Sequence, residues 1–170
     1  EYLIRYYLTV QLFGLIDNLG KNTMLTTFDG NVWYMQLYDC DSCTGLDNSG
    51  AMKFDPDIEV EVGVFNTSNS RLWDKLRRNF PTQILAQWEM LRLNEFTEEN
   101  IMKYLVDNIS DKIPEINYNL DAWRKYITLG KDMLFACHGN RRQQIQRWIK
   151  ERIIYVDTLL NYTVSTNDYI

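Results

Sequence analysis

Three carboxylates and one amide, Asp17, Asn22, Asp39 and Asp41, stand on a short ruler near the start of this chain. An aspartate five residues ahead of an asparagine, followed across a turn by another aspartate, can hold a base and two magnesium ions around a phosphoryl group. In that reading Asp17 accepts a hydroxyl proton, Asn22 and Asp39 ligate the metal, and Asp41 adds a second carboxylate to the pair. Hard oxygen donors suit magnesium or another divalent cation, and the ion would carry the developing phosphate charge. Such a site requires the three carboxylates to converge beside the Asn22 amide. The same residue types also have a purely structural use, because aspartates and asparagines cap helix and strand ends and shape turns. Spacing by itself leaves both uses open.

The elements that must position these residues are a helix and a hairpin. Apolar side chains at Tyr2, Leu3, Tyr6, Tyr7, Val10, Leu12 and Phe13 predict a helix from residue 1 to about 16, buried on a broad face and loosened at Gly14. Residues 23–28 and 32–38 read as strands joined by a turn at Asp29-Gly30, with Trp33, Met35 and Leu37 alternating onto one face. A hairpin brings its strand ends together, so Asn22 and Asp39 can flank one cation although far apart in sequence. Residues 46–70 read as an extended acidic loop, rich in Gly, Asn, Asp and Ser, with at most a short strand at Ile58–Val64. With few apolar anchors beyond Met52, Phe54 and Phe65, this loop is expected to gain its order from other chains.

Beyond Ser70 the pattern is helical. A helix from Arg71 to Phe80 breaks at Pro81, which starts another through Leu91. Thr97 is placed to cap a third helix with Ile101, Tyr104, Leu105 and Ile109 on its buried face, and a short segment follows at Asp121–Tyr126. The last helix, Asn140 to about Leu160, carries Ile145, Trp148, Ile149, Ile153, Val156, Leu159 and Leu160 on one side. Of these, Ile145, Trp148, Ile149, Ile153, Val156 and Leu160 are expected to dock on the helix of residues 1–13, leaving Arg142, Arg147, Lys150, Glu151 and Asp157 outward. The fold class expected is α+β: one domain over residues 1–170, mainly helical, with one β-hairpin (residues 1–45), a long acidic loop (46–70) and a helical bundle (71–170).

Composition narrows the function classes. At 170 residues with 45% hydrophobic and 14% aromatic side chains, the chain can bury a sizeable core. A net charge of −5 argues against a nucleic-acid surface, which needs clustered Lys and Arg. No apolar run is long enough for a membrane span, and nothing resembles a signal peptide. The chain starts at Glu1, without methionine and inside a helical pattern, so it is expected to be a piece of a longer or cleaved protein. Cys40-x-x-Cys43 allows a redox or zinc reading, but the second ligand pair is missing unless Cys137 and His138 supply it. The plainer reading is that these thiols fill small spaces in a reduced protein.

The stretch Tyr2-Leu3-Ile4-x-Tyr6-Tyr7-Leu8, the Ile16-Asp17-Asn18 step, Lys21-Asn22, the turn before Trp33, and Asp39-x-Asp41-x-x-x-Gly45 together resemble the C-terminal half of the spore-coat H (CotH) kinase family. The later chain is similar too, from Phe80 to Asn94 with Glu95-Phe96-Thr97-Glu98-Glu99, and in a final helix opening on Arg141-Arg142. The resemblance implies a kinase-like C-terminal lobe, with Asp17 catalytic and Asp39 and Asp41 at the metal site. Tyr38 stands where the family has Trp, and Thr44 where it has Phe. No lysine and glutamate of a nucleotide-gripping lobe can be assigned, so ATP would be a cofactor only for an active enzyme.

A second resemblance covers Trp33 to Gly50 and the acidic Asp55-x-Asp57-x-Glu59. It is similar to virion proteins of short-tailed bacteriophages, the tail muzzle proteins of crAss-like phages among them. It implies a structural component of a virion tail, assembled in the host cytoplasm, processed proteolytically, and in contact with other tail proteins and with copies of itself. The function expected is therefore a catalytically silent kinase-like lobe in a phage tail. The alternative is an active CotH-type protein kinase transferring phosphate from ATP to Ser or Thr.

Overall fold

The computed structural model describes residues 1–46, 54–61, 71–112, 114, 115, 118, 122 and 141–163. Helix α1, Tyr2–Phe13, runs through the middle of the core, with Tyr6, Tyr7, Leu8, Val10, Gln11 and Leu12 all buried. It ends because Gly14 turns left-handed at φ 60°. The Gly14 N–H then reaches Gln11 O and the Leu15 N–H reaches Val10 O, satisfying carbonyls that the helix end would otherwise leave bare.

Strands β1 (Met24–Thr27) and β2 (Trp33–Gln36) form an antiparallel hairpin in which Leu25 pairs with Met35 and Thr27 with Trp33. Its turn is set by Asp29, whose Oδ1 accepts from the N–H groups of Asn31 (2.8 Å) and Val32 (2.9 Å). Those two bonds, Val32's first, hold the Asp29 carboxyl below its ordinary pKa. The face expected from alternation is only partly realised, because Met35 is buried whereas Trp33 and Leu37 are half exposed. Helix α1 lies against β2, where Tyr2 donates from its hydroxyl to Met35 O at 2.9 Å.

Helix α2 (Arg71–Asn79) stops ahead of Pro81, the first residue of α3 (Pro81–Leu93). Helix α4 (Glu98–Ile109) starts as expected from Thr97, whose Oγ1 accepts from the Asn100 N–H at 3.0 Å. Its buried residues are Ile101 and Met102, with Leu105 partly covered. Tyr104 and Ile109 are exposed, contrary to expectation: α4 lies against the last helix and covers Ile101 and Met102 instead. That helix, α5 (Arg141–Leu159), lies against α1 as its spacing predicts and buries Trp148, Ile149, Ile153 and Val156, while Leu159 is exposed. Asp157 is not outward: its Oδ1 accepts from Trp88 Nε1 (2.8 Å) and Arg92 Nε (3.1 Å), tying α5 to α3. The class is α+β, helices around one hairpin.

Residues 54–61 correct the reading of the acidic loop. Val60 is buried and Phe54 packs against the core, so this stretch takes its order from its own domain. Two polar nodes hold it. Arg152, fully buried in α5, donates through Nε to Gln11 O (2.8 Å) and through Nη1 to Pro56 O (2.9 Å) and Ile58 O (2.6 Å). Glu61 accepts from the Tyr7 hydroxyl (2.5 Å) and Gln11 Nε2 (3.1 Å) on one oxygen and pairs with Arg77 on the other. Residues 58–61 form no strand; the rest of that expected strand, and residues 47–53 and 62–70, lie outside the described residues, as do Cys137, His138 and, but for Ala122, the segment 121–126.

Candidate functional site

The carboxylate-bearing segments are a run of turns, residues 16–22, between α1 and β1, and the loop after β2, residues 37–46. The first folds on itself, because the Asn22 N–H reaches back to Asp17 O at 2.9 Å. It is clamped from below by the Tyr6 hydroxyl, donating to Asn18 O at 2.7 Å, and by Trp73 Nε1, donating to Leu19 O at 2.7 Å. Trp73 is itself held between elements, stacked on Tyr6 and Tyr7 with ring centroids 5.9 Å away in each case.

Two buried asparagines join the turn to the loop. Asn18 Nδ2 donates to Tyr38 O at 2.8 Å and lies 3.8 Å from Cys40 Sγ. Asn22 Nδ2 donates to Asp39 O at 3.2 Å. The loop is anchored at its far end by the Thr44 N–H, which donates to Phe13 O at 2.9 Å. Between these anchors Asp39 (φ 53°) and Thr44 (φ 50°) sit in the left-handed region, uncommon for residues with a side chain. Such strain persists only where surrounding contacts dictate it, and here the Asn18, Asn22 and Thr44 bonds do so.

The structure therefore brings Asn22 to Asp39 as the sequence suggests, through the Asp39 main chain and not its carboxylate. The Asp39 and Asp41 side chains are exposed; Asp41 Oδ1 accepts from the buried Ser42 hydroxyl at 3.4 Å. Asp17 is mostly covered and pairs with Lys21 at 3.3 Å. Among the described residues no three side chains of His, Cys, Asp and Glu stand together so as to hold a metal ion. Asn18, Tyr6 and Trp73 are the residues that sequence reasoning missed here. Asn18 carries the same amide as Asn22, and only its place directly after Asp17 could have singled it out.

A family model described as CotH kinase protein matches residues 1–156, and the chain belongs to this family. No curated protein and no solved structure matches it.

Proposed function

We propose that this chain is a CotH-type kinase lobe serving as a structural part of a bacteriophage tail, without phosphoryl transfer of its own. The observation that carries the reading is the use made of the two asparagines. Asn18 and Asn22 direct their amide N–H groups at the carbonyls of Tyr38 and Asp39, so the motif joins a turn to a hairpin end. The exposed apolar side chains of the hairpin, Leu25, Phe28, Val32, Trp33, Leu37 and Tyr38, suit contacts with further tail proteins or copies of the same chain. The likeness of Trp33–Gly50 to crAss-like tail muzzle proteins supports the same setting: a virion tail put together in the host cytoplasm. No helix among the described residues is long and apolar enough to cross a membrane.

Two measurements test this. Chain incubated with labelled ATP and magnesium should incorporate no phosphate, and antibody against the chain should decorate the tail in micrographs of intact particles. Incorporation that vanishes in Asp39→Ala would overturn the silent lobe; undecorated tails would overturn the setting.

A second reading has one observation behind it: the asparagine bonds hold the Asp17 turn beside the Asp39–Asp41 loop, in a chain of kinase family membership. An active enzyme would use Asp17 as base and Asn22, Asp39 and Asp41 toward magnesium, with ATP bound by a further lobe.

A further inference from the structure

The dithiol Cys40-x-x-Cys43 has no part in either reading above. Both cysteines are free and half-buried, and both pack against the same buried core. They bracket Asp41 and Ser42 in the loop after β2, whose two ends are fixed. Upstream, Asn18 holds Tyr38 O and contacts Cys40 Sγ; downstream, the Thr44 N–H holds Phe13 O, and Cys43 Sγ lies 3.8 Å from Thr44 Oγ1. Pinned ends and a shared apolar backing hold the two cysteines, three positions apart, within one short anchored loop. No cysteine partner from another element competes for either thiol among the described residues.

We propose that Cys40 and Cys43 are a redox modification site: a small-molecule disulfide such as glutathione disulfide converts them into an intraloop disulfide that fixes the position of the Asp41 carboxylate. The chemistry is thiol–disulfide exchange. One cysteine thiolate attacks the small disulfide, forming a mixed disulfide and expelling one thiolate of the reagent. The second cysteine thiolate then attacks the protein sulfur of that mixed disulfide, closing the ring and expelling the other reagent thiolate. Two protons leave the cysteines and are taken up by the two expelled thiolates; the cysteines are oxidised and the reagent is reduced. Neither cysteine is fully buried, which leaves room for a small reagent to approach the pair. The closed ring contains Asp41 and Ser42 and adjoins Asp39, so oxidation limits the loop where its strained Asp39 needs outside support.

The test uses the whole chain carrying Cys137→Ser, so that no third thiol takes part. After incubation with glutathione disulfide, intact mass should fall by about two units. Both thiols should then resist alkylation until a reductant restores them. In the further variant Cys40→Ser the second step is blocked, and a stable glutathione adduct should accumulate on Cys43. The proposal is overturned if the two-cysteine chain ends with persistent glutathione adducts, or if its thiols stay alkylatable under conditions where the same chain, unfolded in denaturant, closes its ring.

Discussion

A methyl group added at Gly14 would stand 3.0 Å from Cη2 of Trp148 and 3.1 Å from its Cζ2, so the end of α1 and the middle of α5 meet with no room for a side chain. Gly14 is also left-handed, at φ 60°. Gly14→Ala therefore combines backbone strain with overpacking and should lower unfolding stability by roughly 2–4 kcal/mol. Denaturant titration measures it; a loss well under 1 kcal/mol would mean that the Trp148 ring yields freely.

Trp148→Ala tests the same contact from the other side. Trp148 is fully buried, and its removal leaves a cavity under α1 that should cost on the order of 3–5 kcal/mol. If the variant melts within a degree or two of the parent, α5 does not close the core in the way described.

Asn22 separates the buttress from the ligand. If its amide N–H group supports Asp39 O, then Asn22→Asp, which keeps size but cannot donate when ionised, should destabilise by about 1–3 kcal/mol, much as Asn22→Ala does. A cation ligand would behave otherwise, since aspartate is a good magnesium donor. Equal melting of Asn22→Asp and parent, with magnesium raising the melting temperature of both, would favour the kinase reading.

Arg152→Met keeps the length and apolar character of the side chain but deserts the carbonyls of Gln11, Pro56 and Ile58. Burial lowers the pKa of Arg152 to about 10, still far above neutrality, so the lost group is a charged donor. Removing it also removes the penalty of burying that charge, which sets the net loss at roughly 2–4 kcal/mol. Urea unfolding of the variant should show the loss, together with earlier proteolysis near residues 54–61.

Alkaline pH should unfold the protein through its tyrosines. Burial pushes Tyr6 up to about 12, with the nearby Cys40 adding to it, and raises Tyr7 further through burial and then through Glu61. A phenol whose folded pKa is raised stabilises fully below its unfolded value of 10.0 and loses that contribution as pH climbs through the folded value. Arg152 acts in the opposite sense, since its lowered pKa relieves a penalty as pH passes about 10. With Tyr155 also raised by burial, three phenols against one guanidinium leave a net fall, so the melting temperature should drop above pH 10 and Tyr7→Phe should flatten the drop. A melting temperature that rises there would contradict the assignment.

Much of the chain could be read from residue types, and the exceptions share a cause. The α1 stripe, the Asp29-Gly30 turn, Thr97 as a cap and the helix start at Pro81 are local: each depends on residues within a few positions of one another. Arg152 is different, because its partners are main-chain carbonyls far away in sequence, which carry no side-chain signature. The anchoring of 54–61 was hidden for the same reason, since Glu61 looks like any surface carboxylate until Tyr7, Gln11 and Arg77 surround it. In the site, the ruler of aspartates and asparagines was visible, and so was the approach of Asn22 to Asp39. Which end of each amide faces the neighbouring loop was not, because one asparagine can offer either an oxygen or an N–H group.

Glu61 gathers groups from α1 and α2 while Arg152, on α5, holds the carbonyls three and five residues before it. The segment between these nodes thus cannot open by itself. To present a peptide bond at 56–60 to a protease, the chain must release a buried guanidinium and a shared carboxylate together, disturbing three helices at once. Cleavage there reports whole-domain opening and not local fraying, so a stretch that reads as loop behaves kinetically as part of the core.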